Sequence, residues 1–266
     1  MVYRSFLAGV AALFLLPFFR SSLVAGEEAP FSSTRPAPTA RGTYPAKRGP
    51  SVILQSTKPA ADPSSTVKAY GLTRSDLDNL VKTVPSIDSF FAVRVQPAAL
   101  RAGRSTKTIP LMGVSPNFEN LSELKLSQGR FLSNEDAKVR RNVCVMSEAL
   151  AEQQFPNLDP IGRRLQVGDQ YYTVAGTFLT PEPNSSSNLP QLTGETLLIP
   201  LSTMQVKLGD QLIERKSGSF EVTAYELTAI RFWLAEDGDL AATTRVIQQI
   251  LQNTHPSEDY TLKTLE

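Results

Sequence analysis

The sequence predicts an α+β fold with mixed sheets, and three observations predict it. Short runs of apolar or alternating residues, such as "SVILQS", "IDSFFAVRV", "NVCVM", "QYYTVAGTF" and "ELTAIRFWLA", read as strands. Three stretches with a helix start signal or helical apolar spacing stand between them. Strand–helix–strand units lie at the two ends of the folded region, with a strand–helix–hairpin module between.

Residues 1–26 carry a positive start at Arg4, an apolar run from Phe6 to Phe19, and small residues at Ser21, Ser22, Ala25 and Gly26. Arg20 interrupts the run short of the roughly 20 apolar residues that a span requires. The segment is expected to be a secretory signal peptide cleaved near Ala25 or Gly26. The competing expectation is a membrane anchor through residues 6–26, with Arg20 snorkelling to the interface. Residues 27–50 hold Pro30, Pro36, Pro38 and Pro45 without apolar periodicity and read as a Pro-rich linker. Residues 51–266 are then the folded domain.

"SVILQS" opens that domain as a strand. In "LTRSDLDNLVKTV", Thr73 is the N-cap and Asp76 the third helical residue, an acidic capping box, with Leu72 and Leu77 as a hydrophobic staple. Leu77, Leu80, Val81 and Val84 form the apolar stripe, and Pro85 stops the helix. The strand "IDSFFAVRV" leads to a basic hairpin tip, "ALRAGRSTKTIP", and "IPLMGV" follows as another short strand. Gly129 suits a turn with positive φ. Asn134, Glu135 and Asp136 read as polar turn material, and "NVCVM" as a strand buried on both faces. Ser147 caps a short helix carrying Ala149, Leu150 and Phe155, closed by Pro156. After a turn at Asp159–Gly162, Leu165 and Val167 alternate up to Gly168-Asp169, a dipeptide suited to a two-residue hairpin, and "QYYTVAGTF" returns. Beyond a polar loop from Thr180 to Glu195, "TLLIPL" and "ELTAIRFWLA" are strands. Asp239 caps a helix with Leu240, Ile247, Ile250 and Leu251 on one face, and "DYTLKTL" closes the domain.

Chemistry is sparse along this chain. With 27 basic and 26 acidic residues the net charge is +1, so nothing demands nucleic acid or an anionic membrane as partner. The single cysteine, Cys144, stands between two valines and reads as core. One Cys and one His cannot close a tetrahedral zinc site without unusual carboxylate help. His255 has Ser257 and Asp259 nearby, but a triad is a spatial assembly and no nucleophile elbow accompanies it. A helix cap or surface turn is its expected role. The pairs Glu135-Asp136 and Glu236-Asp237 lie beside Asn or Gly and read as solvated turn residues. The sequence therefore assigns no catalytic, metal or cofactor-binding residue, and no cofactor. Its candidate partner-contact residues are Arg101, Arg104 and Lys107 at the basic tip.

In order, "LTRSDLDNLVKTVPSI", "LMGVSPNFENLSELKLSQGRFLSNEDA", "NVCVMSEALAEQQF", "DPIGRRLQVGDQYYTVAGTF" and "LLIPL" resemble the periplasmic core domain of MacB/FtsX-type ABC transporter permeases. Each motif alone is weak; their order across Ser51 to Glu266 carries the resemblance. It implies a βαβ porter-like subdomain with an inserted smaller subdomain, lying outside the inner membrane. It also implies an ABC transporter membrane subunit, an ATPase or a periplasmic adaptor as partner, and no enzymatic activity in this chain. Such permeases have one transmembrane helix before the domain and three after it, whereas this sequence shows none of the latter after "DYTLKTLE". An accessory or split part of an ABC-type export or mechanotransmission system is the expected role. The alternative is a free-standing periplasmic binding or scaffold module.

Overall fold

The computed structural model describes residues 49–58, 67–103, 105–122, 124–180, 192, 194–216, 219–236, 238–257 and 259–265. The expected signal or anchor segment lies outside these residues, as do Arg104, Asp237 and most of the linker and of the loop after Thr180.

The chain begins with β1 (Ser51–Ser56), β2 (Val67–Ala69), α1 (Arg74–Thr83) and the long β3 (Ile87–Ala102). Then come β4 (Ser105–Val114), α2 (Phe118–Ser122), β5 (Leu126–Gly129), α3 (Asn134–Lys138), β6 (Val143–Ser147) and α4 (Glu148–Gln154). The hairpin of β7 (Arg164–Val167) and β8 (Gln170–Phe178) leads to β9 (Leu197–Pro200) and α5 (Leu201–Leu208). A second hairpin, β10 (Gln211–Lys216) and β11 (Ser219–Ala224), precedes β12 (Ala229–Leu234), α6 (Leu240–Thr254) and β13 (Tyr260–Leu265).

One sheet runs β13-β1-β12-β3-β4-β9-β6-β8-β5, with β7 bridging β3 and β8, and a small sheet runs β10-β11-β2. The first four strands of the large sheet explain the two terminal units read from sequence. β1 and β3 are both antiparallel to β12, and β12 and β13 are both antiparallel to β1. Each pair is thus parallel, with a strand of the other pair lying between its members. Counted within this unit, the spatial order is fourth, first, third, second, which is the split βαβ arrangement of a ferredoxin-like βαββαβ fold. The central module is inserted between the second and third of those strands, β3 and β12, as expected for a porter-like subdomain carrying an insertion.

Alternation along the strands sorts the core onto two faces. Val52, Leu54, Ala92, Ile230 and Phe232 point to α1 and α6 and pack with Leu80, Ile247 and Leu251. Phe91, Val93, Val95, Ala229 and Trp233 point the other way, into a cluster with Phe118, Phe131 and Val145. Phe91 lies edge-on to Phe118 with ring centroids 5.0 Å apart. A further cluster under α4 and α5 gathers Leu100, Leu111, Cys144, Leu150, Val167, Tyr172 and Met204.

Several local expectations need correction. Among the described residues there are six helices rather than three. The additional ones are α2 and α3, of 5 residues each, and α5. Two five-residue helices are too short to display an apolar period. Asn134–Asp136 is the start of α3, not a solvated turn, because Ser133 and Asp136 form a capping box and Asp136 is fully buried. In α4 the inward residues are Leu150 and Ala151; Ala149 faces solvent. Val81 lies at the exposed margin of the α1 stripe. β3 continues past Val95 to Ala102, and β4 begins at Ser105, because the two form one long hairpin. The capping box of Thr73 and Asp76, the caps at Ser147 and Asp239, and the positive φ of Gly129 and Gly168 are as the sequence indicates.

Cys144 is completely buried in β6, and burial pushes its thiol far above the ordinary range. Cys144→Ser is expected to cost about 1–3 kcal/mol by placing a hydroxyl in an apolar site. Chemical denaturation measures the loss. A stability unchanged from wild type, or rapid reaction of the native thiol with a bulky reagent, contradicts this packing.

Candidate partner-contact site

The basic tip is the turn of the β3–β4 hairpin, and its register decides what the cations can do together. Arg101 pairs with Thr106 and Leu100 pairs with Lys107. Cross-strand partners share a face while neighbours along a strand alternate. Arg101 and Lys107 therefore leave the ribbon on opposite sides. Arg104 lies outside the described residues.

Lys107 turns toward α4, where its Nζ donates to Gln153 Oε1 at 3.2 Å and pairs with the Glu195 carboxylate. Gln153 in turn donates to Glu195 Oε1 at 2.7 Å. The bond from Lys107 holds the Glu195 carboxyl below its ordinary pKa. Lys107 thus fastens the end of the long polar loop to the hairpin. Arg101 instead lies over β7, with Nη1 at 3.4 Å from Gln166 Oε1. Tyr171 donates its hydroxyl to the same oxygen at 3.3 Å.

Sequence reading missed two ionic assemblies, one around the buried Arg94 where the central module rejoins the terminal unit and one buried within the terminal unit. Arg94 is 0% exposed, although it sits in the middle of "FFAVRV". Its Nη1 donates to Asp210 Oδ1 at 3.1 Å and to the Gly209 carbonyl, and its guanidinium lies 5.1 Å from the Tyr225 ring centre. Asp210 also accepts two bonds from Arg74, at 2.7 and 3.0 Å. Glu226 accepts from both the side chain and the backbone N–H of Arg74, each at 2.9 Å. The junction joins α1, β3, the α5–β10 turn and the β11–β12 turn. The one sequence signal for it is a charged residue inside an apolar strand.

The second assembly surrounds His255, the C-cap of α6. Its Nε2 lies 2.9 Å from Asp76 Oδ2 and its Nδ1 lies 3.0 Å from Asp259 Oδ1, all three side chains being buried. Burial opposes ionisation of Asp76, but bonds from Thr73 and His255 outweigh it and hold the carboxyl below its ordinary pKa. The nearby Ser257 is exposed and is not brought to the imidazole. With each ring nitrogen facing a carboxylate, neither is presented to a hydroxyl nucleophile, and His255 takes the helix-cap role expected from sequence. The cluster ties the end of α6 to the start of α1. Asp259 Oδ2 extends the tie by accepting from Gly71 N at 2.8 Å. Among the described residues, no group of three or more His, Cys, Asp and Glu side chains could hold a metal ion. None of their helices is long and apolar enough to cross a membrane.

The sequence profile of the MacB-like periplasmic core domain matches residues 8–250. The chain belongs to the MacB-like periplasmic core domain family. Among relatives of this MacB-like domain is the macrolide export ATP-binding/permease protein MacB of Syntrophobacter fumaroxidans, 21% identical over 192 residues, which are 72% of this chain and 24% of that protein. The protein of the same name from Shewanella sp. is 26% identical over 142 residues, 52% of this chain and 21% of that one. The MacB-like domain spans about a quarter or less of the curated relatives it matches. The periplasmic region of MacB from Actinobacillus actinomycetemcomitans has the same fold, with a TM-score of 0.58 at 20% identity over 80% of this chain and 87% of that one. So does the extracellular domain of the noncanonic ABC-type transporter YknZ from Gram-positive bacteria, with a TM-score of 0.58 at 17% identity over 80% and 99% of the two chains.

Proposed function

We propose that this MacB-like periplasmic domain is a non-enzymatic contact module of an ABC-type export or mechanotransmission system, working outside the cytoplasm as an accessory or split part of the transporter. The supporting observation is the continuity of β3. From Ile87 to Val93 it pairs with β12 in the terminal unit, and from Val93 to Ala102 with β4 in the central module. Its 16 residues reach about 50 Å at roughly 3.3 Å per residue. One hydrogen-bonded element thus joins the terminal unit to the hairpin tip, so displacement of one end carries the other with it. In this reading the partner is a membrane subunit, an ATPase or a periplasmic adaptor, and residues 1–26 export or anchor the chain.

Affinity purification of the tagged full chain from membranes of its host tests the proposal. Recovery with a transporter subunit is expected; recovery of the chain alone, with and without chemical cross-linking, overturns it. The tip contributes through Arg101 and Arg104, since Lys107 is held by Gln153 and Glu195. Neutralising both arginines is expected to slow association at low salt, an effect that shrinks as salt rises. Stability should move by no more than about 0.5 kcal/mol. Association rates of this double variant and of Lys107→Ala, at two ionic strengths, check the assignment; equal rates for wild type and double variant count against it.

A further inference from the structure

Tyr171 is 57% exposed, the most solvent-open of the large apolar side chains among the described residues. It is not isolated. Gln166 pairs with Tyr171 and Arg164 with Thr173 in the β7–β8 register, so these residues share one face. The opposite face carries Leu165, Val167 and Tyr172 into the core. Arg101 joins the outer face from β3, because Leu100 pairs with Val167 while the Arg101 side chain reaches Gln166. Arg101, Arg164, Gln166 and Tyr171 therefore lie on an outward face formed by three hydrogen-bonded strands. Asp169, in the hairpin turn, is the acidic residue at its rim.

We infer that this face docks against an acidic protein surface. The inference rests on the reading of the domain as a contact module and names the surface and the chemistry it meets. Tyrosine and arginine are the side chains that most often carry interface energy, since each offers a large contact area with directed polar groups. Here the Tyr171 hydroxyl and the Arg101 guanidinium are both oriented by the Gln166 amide, so part of their ordering is already present before a partner arrives. Two arginines against one aspartate favour an acidic counterpart. They are too few for a membrane surface, where recognition takes clusters of about four to eight basic residues.

Cysteine labelling reads this directly, because the single native cysteine, Cys144, is buried. A full-length chain with Thr106→Cys, an exposed position that pairs with Arg101 and shares its face while leaving Tyr171 in place, is treated with a bulky maleimide, first purified and then in intact cells of its host. Labelling in cells is expected to be slower by at least about fivefold, as for a residue enclosed by a partner. Val246→Cys, exposed on α6, should label equally in both settings. Adding Arg101→Glu and Arg164→Glu to Thr106→Cys should restore fast labelling in cells. Equal rates at position 106 in the two settings overturn the inference, as does protection that survives the charge reversal. Protection of the purified chain by vesicles of phosphatidylethanolamine and phosphatidylglycerol alone reassigns the face to lipid and also overturns it. If a transporter subunit co-purifies while position 106 labels freely, the functional reading stands and this surface falls. If position 106 is protected in a charge-dependent way and no transporter subunit is recovered, the contact face stands and the functional reading falls.

Discussion

Asp210→Ala is expected to cost about 3 kcal/mol of stability, whereas Arg94→Met should leave stability unchanged or raise it. The two residues touch each other, yet their environments differ. The Arg94 side chain has no solvent exposure, while that of Asp210 is 33% exposed. Arg94 loses its hydration entirely, and its Nε and Nη2 have no hydrogen-bond partner among the described residues. Burial pushes the pKa of Arg94 down, and the charge of Arg74 adds to that, against opposing contributions from Tyr225 and Asp210. Removing Asp210 leaves two guanidinium groups facing each other without the carboxylate between them. Loss of one member of a buried ion pair costs about 3–5 kcal/mol, and the partial exposure of Asp210 places this case at the lower end. Methionine at position 94 removes the desolvated charge and the two orphan donors together, and its flexible thioether can fill the vacated space. Asp210 then keeps Arg74. Urea denaturation of both variants at neutral pH decides the matter, and a larger loss for Arg94→Met than for Asp210→Ala reverses the argument.

Asp136→Asn is expected to cost about 2 kcal/mol at neutral pH, and the difference should vanish in acid. The Asp136 carboxylate is fully buried. It accepts from Ser133 N at 3.0 Å, Ser133 Oγ at 2.8 Å, Arg130 Nη1 at 2.5 Å and Arg141 Nη1 at 3.1 Å. Burial alone raises its pKa, but Arg130 and Ser133 overcome that and bring it down from 3.8 to about 2. Each unit is worth about 1.36 kcal/mol, and solvent screening of the two half-exposed arginines trims the sum to about 2 kcal/mol. Because the folded-state pKa is the lower one, the stabilisation is fully present above the unfolded value. It disappears as pH falls through about 2. Denaturation between about pH 6 and pH 2 should show the wild type losing stability toward the variant until the two curves meet. Parallel curves over that range would remove the charge from the explanation.

The two capping boxes show what could be read from the sequence and what could not. Thr73-x-x-Asp76 and Ser133-x-x-Asp136 make the same bonds. The first was legible because Leu80 and Val84 extend it into a helix with an apolar stripe; the second opens a helix of 5 residues, with no room for one. Strands were legible wherever apolar residues alternate or run together, so the terminal βαβ units and the β7–β8 hairpin could be placed. The long extension of β3 and the β10–β11 hairpin were not, since Pro97, Arg101, Glu214 and Lys216 disguise them as loop. Ion pairs were hidden by distance along the chain. His255 meets Asp259 four residues on, but it meets Asp76 across 179 positions, and Arg94 finds Asp210 across 116. The basic tip shows a subtler limit. Closeness in sequence suggested one patch, and strand register placed Arg101 and Lys107 on opposite sides.

The pairing of β1 with β13 has a mechanical consequence. Ser51 lies opposite Leu265 in an antiparallel register, so the residues flanking the domain at either end depart from one corner of the sheet. The bonds between such strands run across the strand direction. If those two flanks are drawn apart, load falls on the outermost bonds first and the pair opens like a zipper, each bond yielding about 1 kcal/mol in turn. If they are drawn along the strands in the same direction, the whole row shares the strain and the sheet moves as a plate. In a chain pulled through both flanks, the corner would therefore filter force: common motion would pass into β12 and β3, whereas opposed motion would be spent in fraying β13.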